Sequence, residues 1–136
     1  MRLLVVDGMG GGIGRAIISY LRENGFQGEI AAVGTNSAAT NAMLKAGADA
    51  AATGTNAVVY NCAHTDLIVG PIGIAFPNSM HGEISPEMAQ AVGGSEARKL
   101  LLPVSRCNAV VVGTREAPLA QLLGEMMELI SNERGC

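Results

Sequence analysis

The stretch "DGMGGGIGRAI", residues 7–17, sets five glycines among seven consecutive positions, directly after the apolar run "LLVV" and directly before an amphipathic segment. Glycine costs a chain backbone order. It concentrates where a strand turns into a helix and something must approach the backbone closely, most often a phosphate. Strand, tight turn and helix in that order open a parallel α/β sheet. The same few residues therefore constrain the fold and pose the functional question.

The rest of the chain keeps the alternation. Residues 2–6 predict a buried first strand, and 12–24 a helix with Ile13, Ala16, Ile17, Tyr20 and Leu21 on one face, stopped by Gly25. A second strand is expected at 29–34 and a second helix at 37–46, with Thr35 or Asn36 as N-cap and Gly47 closing it. A short strand at 48–52, a short helix at 53–63 and a buried strand "DLIVG" at 66–70 follow. Residues 71–84 form the longest irregular segment, after which Ser85, Pro86 and Glu87 specify a helix over 85–92. "KLLLPV" (99–104) and "NAVVVG" (108–113) read as two strands joined only by "SRC", a link short enough for a hairpin, which would set the last strand antiparallel. From Pro118 a terminal helix carries Leu119, Leu122, Leu123, Met126, Met127 and Ile130 at helical spacing. That stripe either packs on the sheet or forms a homodimer seam that includes Leu122 or Met126. The expected architecture is α/β: one Rossmann-like domain over 1–136, three layers α/β/α, with a mostly parallel sheet of about five or six strands.

Composition narrows the partners. A chain of 136 residues suits one domain with one core. The net charge of −3, with Lys45 and Lys99 the only lysines, leaves no basic footprint and argues against nucleic acid. Although 49% of residues are hydrophobic, Gly, Pro or charge breaks every run well before the ~20 residues a membrane span needs. "MRLLVVDGMGG" lacks the form of a secretory signal, so a soluble cytoplasmic protein is expected. Cys62, Cys107 and Cys136 are odd in number and far apart, which argues against a disulfide framework or zinc site, and no metal is expected.

Parallel sheets bind ligands beyond the carboxyl ends of their strands. Here those ends are followed by "DGMGGGIG", "GTNS", "TGTN", "GPIGIAFPNSMHGE" and "VSRCN", loops rich in Gly, Ser, Thr and Asn. Such loops suit hydrogen bonding to a phosphate or polar small molecule.

Gly8, Gly12 and Gly14 stand as G-x-x-x-G-I-G, continued by "GIGRAI", Leu21 and Gly25. The run resembles the short-chain dehydrogenase/reductases. The resemblance implies NAD(P) or another nucleotide, with Gly8, Gly12, Ile13 and Gly14 against its pyrophosphate. Unpaired N–H groups of the first helical turn and the helix dipole both favour an anion there, and Arg15 adds a charge or is a solvated helix residue. "DLIVGPIGI" is similar to that family's D-x-x-V-N-N-A-G-I run at Asp66, Val69, Gly73 and Ile74, but Gly70 and Pro71 replace both asparagines. Where a dinucleotide fold places an acid for the ribose, about 20 residues past the glycine turn, stand Gly34, Thr35 and Asn36. Thr35, Asn36 and Ser37 either hold a phosphate at the second helix or cap it. Neither Tyr20 nor Tyr60 has the lysine four residues on that the reductases use, and the chain is about half their length, which argues against their catalysis. A P-loop is equally incomplete, since Arg15 and Ala16 follow Gly14 where a lysine and a hydroxyl are required.

A second resemblance covers nearly the whole chain. "DGMGGGIGRAI", "GTNSAATNAMLKAGA", "TGTNAVV", "DLIVGPIGIAFPNSMHGEISPEMA" and "LLPVSRCN" are similar to a small uncharacterised bacterial family, a domain of unknown function. It implies bacterial origin and brings no assigned activity with it.

Three side chains are catalytic candidates: Cys107, flanked by Arg106, and His81 and Glu83 in the long loop, as acid or base. Asp7 either holds the glycine turn or faces the ligand. The expected function is binding of a nucleotide or phosphorylated small molecule through Gly8, Gly10, Gly11, Gly12, Ile13, Gly14, Arg15, Thr35, Asn36, Ser37 and Gly70. The alternative is a non-catalytic sensor or assembly module that forms a homo-oligomer through its C-terminal helix.

Overall fold

The computed structural model describes residues 1–104 and 108–132. Five strands form one sheet: β1 (Arg2–Asp7), β2 (Glu29–Gly34), β3 (Ala50–Thr53), β4 (Leu67–Pro71) and β5 (Arg98–Leu102). Five α-helices connect or follow them: α1 (Gly12–Glu23), α2 (Ser37–Ala46), α3 (Thr55–Cys62), α4 (Pro86–Gly94) and α5 (Leu119–Ser131). The strand order is β3-β2-β1-β4-β5 and every pairing is parallel. This is a Rossmann-like α/β fold.

The period of two along β1 builds the three layers. Leu3 and Val5 enter one core with Ile17, Ile18 and Leu21 of α1, Met43 of α2, and Leu123, Met126 and Ile130 of α5. Leu4 and Val6 enter the opposite core with Val58 of α3 and Met88 and Val92 of α4. A strand apolar on both faces is stable only when helices cover both, so "LLVV" specifies a central parallel strand. Full burial of each such side chain contributes roughly 1.5–3 kcal/mol.

The C-terminal stripe packs into this first core, with Leu119, Leu122 and Met127 partly buried at its margin and Leu129 left 46% exposed. Among the described residues no helix is long and apolar enough to cross a membrane.

One expected element is absent. Residues 108–113 form no strand, so the sheet has five strands and no antiparallel member among the described residues. Asn108 has a left-handed φ of 51°, Gly113 another of 93°, and Val110 and Val112 stand 80% and 95% exposed. A β-branched run becomes a strand only where a ladder partner receives its N–H and C=O groups, and the turned backbone around these valines denies them one.

Candidate functional site

The carboxyl ends of β1 and β2 lie side by side, in register through the Asp7–Gly34 pair, and the Thr35 N–H donates to the Asp7 carbonyl at 3.1 Å. On the other side of β1 runs β4, and the strand order reverses between these two. The glycine turn thus opens at the crevice where open α/β sheets bind ligands.

Within that turn the five glycines divide. A Cβ on Gly8 would lie 2.7 Å from Thr35 Oγ1 and 2.8 Å from Met80 Sδ. Gly11 has a φ of 73° and its Cβ would meet the Ala39 backbone at 2.8 Å, while a Cβ on Gly14 would meet Met43 Sδ at 2.5 Å and Asp7 Cβ at 3.0 Å. All three positions are closely packed, Gly11 against backbone and with a positive φ, Gly8 and Gly14 against neighbouring side chains. Around Gly10 and Gly12 a Cβ would meet nothing within 4 Å. Gly12 is also the first helical residue of α1, where an N–H has no intrahelical acceptor. Gly70 belongs to the packing group, since its Cβ would strike the Val6 carbonyl and Ile74.

Asp7 holds the turn. Its Oδ2 accepts from the Gly14 N–H at 2.6 Å and its Oδ1 from the Gly8 N–H at 2.8 Å, so a carboxylate of the chain itself stands at the positive end of the α1 dipole. Burial pushes its carboxyl above the usual range. The N–H groups of Gly14, Gly8 and Ile13 oppose that shift, and the charge of Glu83 adds to it.

Glu83 reaches the same turn from the loop after β4. Its Oε1 accepts from the Met9 N–H at 2.7 Å, from the Asn36 Nδ2–H at 3.1 Å and from the Thr35 hydroxyl. These donors hold its carboxyl below the usual glutamate range, the Thr35 hydroxyl most, then Met9, with Asn36 and the charge of His81 assisting against partial burial. Asn36 is the N-cap of α2, accepting from the Ala39 N–H at 2.9 Å, and its amide also donates to the Met9 carbonyl at 2.8 Å. One asparagine therefore caps a helix and fixes the glycine turn. The loop carrying Glu83 is anchored by the fully buried Ser79 and Ile84 and closed by the Asn78 N–H on the Ile84 carbonyl at 2.7 Å. Asn78, Met80 and His81 all take left-handed φ values, the strained backbone that clusters at functional sites.

The structure brings Gly8, Thr35, Asn36 and Glu83 together, with Met9 and Met80, which sequence reasoning did not single out. Arg15 and Ser37 are exposed at the first turns of α1 and α2, Ile13 is half-buried against the core, and His81 is exposed at the tip of the loop. Cys107 lies outside the described residues. Cys62, buried between α3 and α4 beside a hollow of about 470 Å³, has its thiol pushed up to about 11 by burial, against the charge of Lys99. Among the described residues no group of three or more His, Cys, Asp or Glu side chains stands ready for a metal ion.

The chain belongs to the family described as a domain of unknown function, DUF3842, which it matches over residues 2–134. No characterised protein and no solved structure matched it in comparison.

Proposed function

We propose that this protein binds a nucleotide or another phosphorylated small molecule in the crevice beyond β1, β2 and β4, with a phosphate against Gly10 and Gly12 at the start of α1. The observation that carries the reading is the division of the glycines. Gly8, Gly11 and Gly14 are closely packed, whereas Gly10 and Gly12 face open space at a helix N-terminus. Among the described residues nothing lies within 4 Å of a Cβ at those two positions. Close approach by a ligand would use that space. NAD(P) stands among the nucleotides in this class because the turn resembles that of the dinucleotide-binding reductases.

A thermal-shift panel of nucleotides, dinucleotides and phosphosugars tests the reading. A compound at 100 times its Kd stabilises by about 2.7 kcal/mol, a visible shift for a domain of this size. For the compound found, Gly12→Ala should weaken binding without lowering stability. Unchanged affinity in that variant would remove the turn from the binding site.

A non-catalytic assembly module is the second reading, favoured by the exposure of Val110, Val112 and, on α5, Leu129. The self-association it implies uses the outer side of α5, since Leu123, Met126 and Ile130 are buried on the sheet. Light scattering reads it directly, as twice the chain mass or the chain mass alone.

A further inference from the structure

Three donors from three positions in the chain converge on one oxygen. The Met9 N–H comes from the glycine turn, the hydroxyl of Thr35 from the end of β2, and the amide of Asn36 from the cap of α2; all reach Glu83 Oε1. Hydrogen bonds to an ionised acceptor are the strong ones, and a cluster of donors without an acid among them is complementary to an anionic oxygen. The chain supplies that oxygen from 47 or more residues away, on a side chain that is only half-buried.

We infer that Met9 N–H, Thr35 Oγ1–H and Asn36 Nδ2–H form an oxyanion seat that Glu83 fills in the ligand-free protein and that a phosphate oxygen of the ligand takes when the Glu83 side chain swings out. This rests on the reading of the crevice as a phosphate site, and it adds a competitor built into the chain.

Exchange at the seat is close to balanced, because each hydrogen bond lost by Glu83 is remade to the incoming oxygen while the released carboxylate regains water. The movement is confined to one side chain: Ser79 and Ile84 hold the loop backbone on either side, both fully buried. Gly8 completes the arrangement, since a Cβ there would lie 2.9 Å from Glu83 Oε1 and 2.7 Å from Thr35 Oγ1, inside the seat.

The test uses inorganic pyrophosphate and ADP as probes, titrated calorimetrically into the wild type, Glu83→Gln and Thr35→Val, with folding of each checked by thermal melting. Glutamine keeps the shape but turns a donor toward the seat or loses the charge that holds it there. Glu83→Gln should therefore bind pyrophosphate at least about tenfold more tightly, a change of about 1.4 kcal/mol. Thr35→Val should bind it more weakly. In the wild type, adding the probe should shift the amide NMR signals of Met9 and the Asn36 side chain, a readout that stands if Glu83→Gln fails to fold. Equal or weaker binding by Glu83→Gln overturns the seat while leaving the crevice reading intact. A loss specific to ADP would make Glu83 a contact to the sugar instead and also overturn it. Absence of binding by every probe and phosphorylated compound, in wild type and variant alike, removes both readings together.

Discussion

The Asp7 carboxylate accepts the backbone N–H of Gly14 at 2.6 Å, seven residues along the chain, and so seals the first turn of α1 against the end of β1. Asp7→Asn removes the charge and turns a donor amide toward the Gly8 N–H or the Gly14 N–H, both of which donate to the aspartate. Leaving a buried donor unsatisfied costs about 1–3 kcal/mol. Urea unfolding of Asp7→Asn should show a loss in that range, and a change below about 0.5 kcal/mol, the scale of an ordinary surface substitution, would show that the carboxylate does not hold the turn.

Two glycine variants two residues apart should behave oppositely. Gly14→Ala pushes a methyl group into Met43 Sδ and Asp7 Cβ, and overpacking of that kind costs about 1–3 kcal/mol. Gly12→Ala meets no atom within 4 Å in a helical conformation and should leave stability unchanged or raise it by up to about 1 kcal/mol. Denaturant midpoints of the two variants settle the contrast. Equal losses would mean that packing alone accounts for the whole turn.

Glu83 predicts a pH dependence. Its folded pKa lies below the ordinary 4.5, so its contribution to stability is fully present above 4.5 and is lost as pH falls from 4.5 through the folded value. Asp7 acts in the opposite sense: its folded pKa lies above the ordinary 3.8, so the penalty of its charge is present above the folded value and is relieved as pH falls toward 3.8. The stability difference between wild type and Glu83→Gln, measured by urea unfolding from pH 7 to pH 3, should therefore shrink as pH falls below about 4.5. A difference that is constant through that range would mean that Glu83 gains nothing from its three donors.

Arg22 joins the far ends of the elements. Its Nε donates to the Gly47 carbonyl at 3.0 Å, and its other nitrogens to the carbonyls of Phe26 and Gly28 and to the Asp49 carboxylate. Arg22→Lys keeps the charge but cannot present a fork to four acceptors, and should cost more than about 1 kcal/mol, the upper end for an exposed ion pair by itself. A smaller loss in thermal or urea unfolding would reduce Arg22 to its half-exposed contact with Asp49.

Much of the framework was legible locally. The apolar run at residues 2–6 and the Ser85-Pro86 helix start lie where the structure has them, the strand read at 66–70 runs one residue later, and Asn36 is the cap of the two candidates offered, because caps, turns and burial on both faces are set by residues within a few positions of one another. "NAVVVG" failed by the same logic: its β-branched composition is a local property, whereas a strand exists only with a partner.

By itself the sequence determined a parallel α/β domain that starts with a glycine turn. Tertiary structure decided what each glycine is for, since only the neighbours at Thr35, Ala39, Met43 and Met80 separate Gly8, Gly11 and Gly14 from Gly10 and Gly12. It also brought a carboxylate to the end of β2, where the chain's own residues are Gly34, Thr35 and Asn36. Glu83 arrives there from 48 residues beyond Thr35 and 74 beyond Met9. No periodicity or spacing encodes such a contact, because it depends on which strands the sheet places side by side and on how the loop after β4 folds back across them.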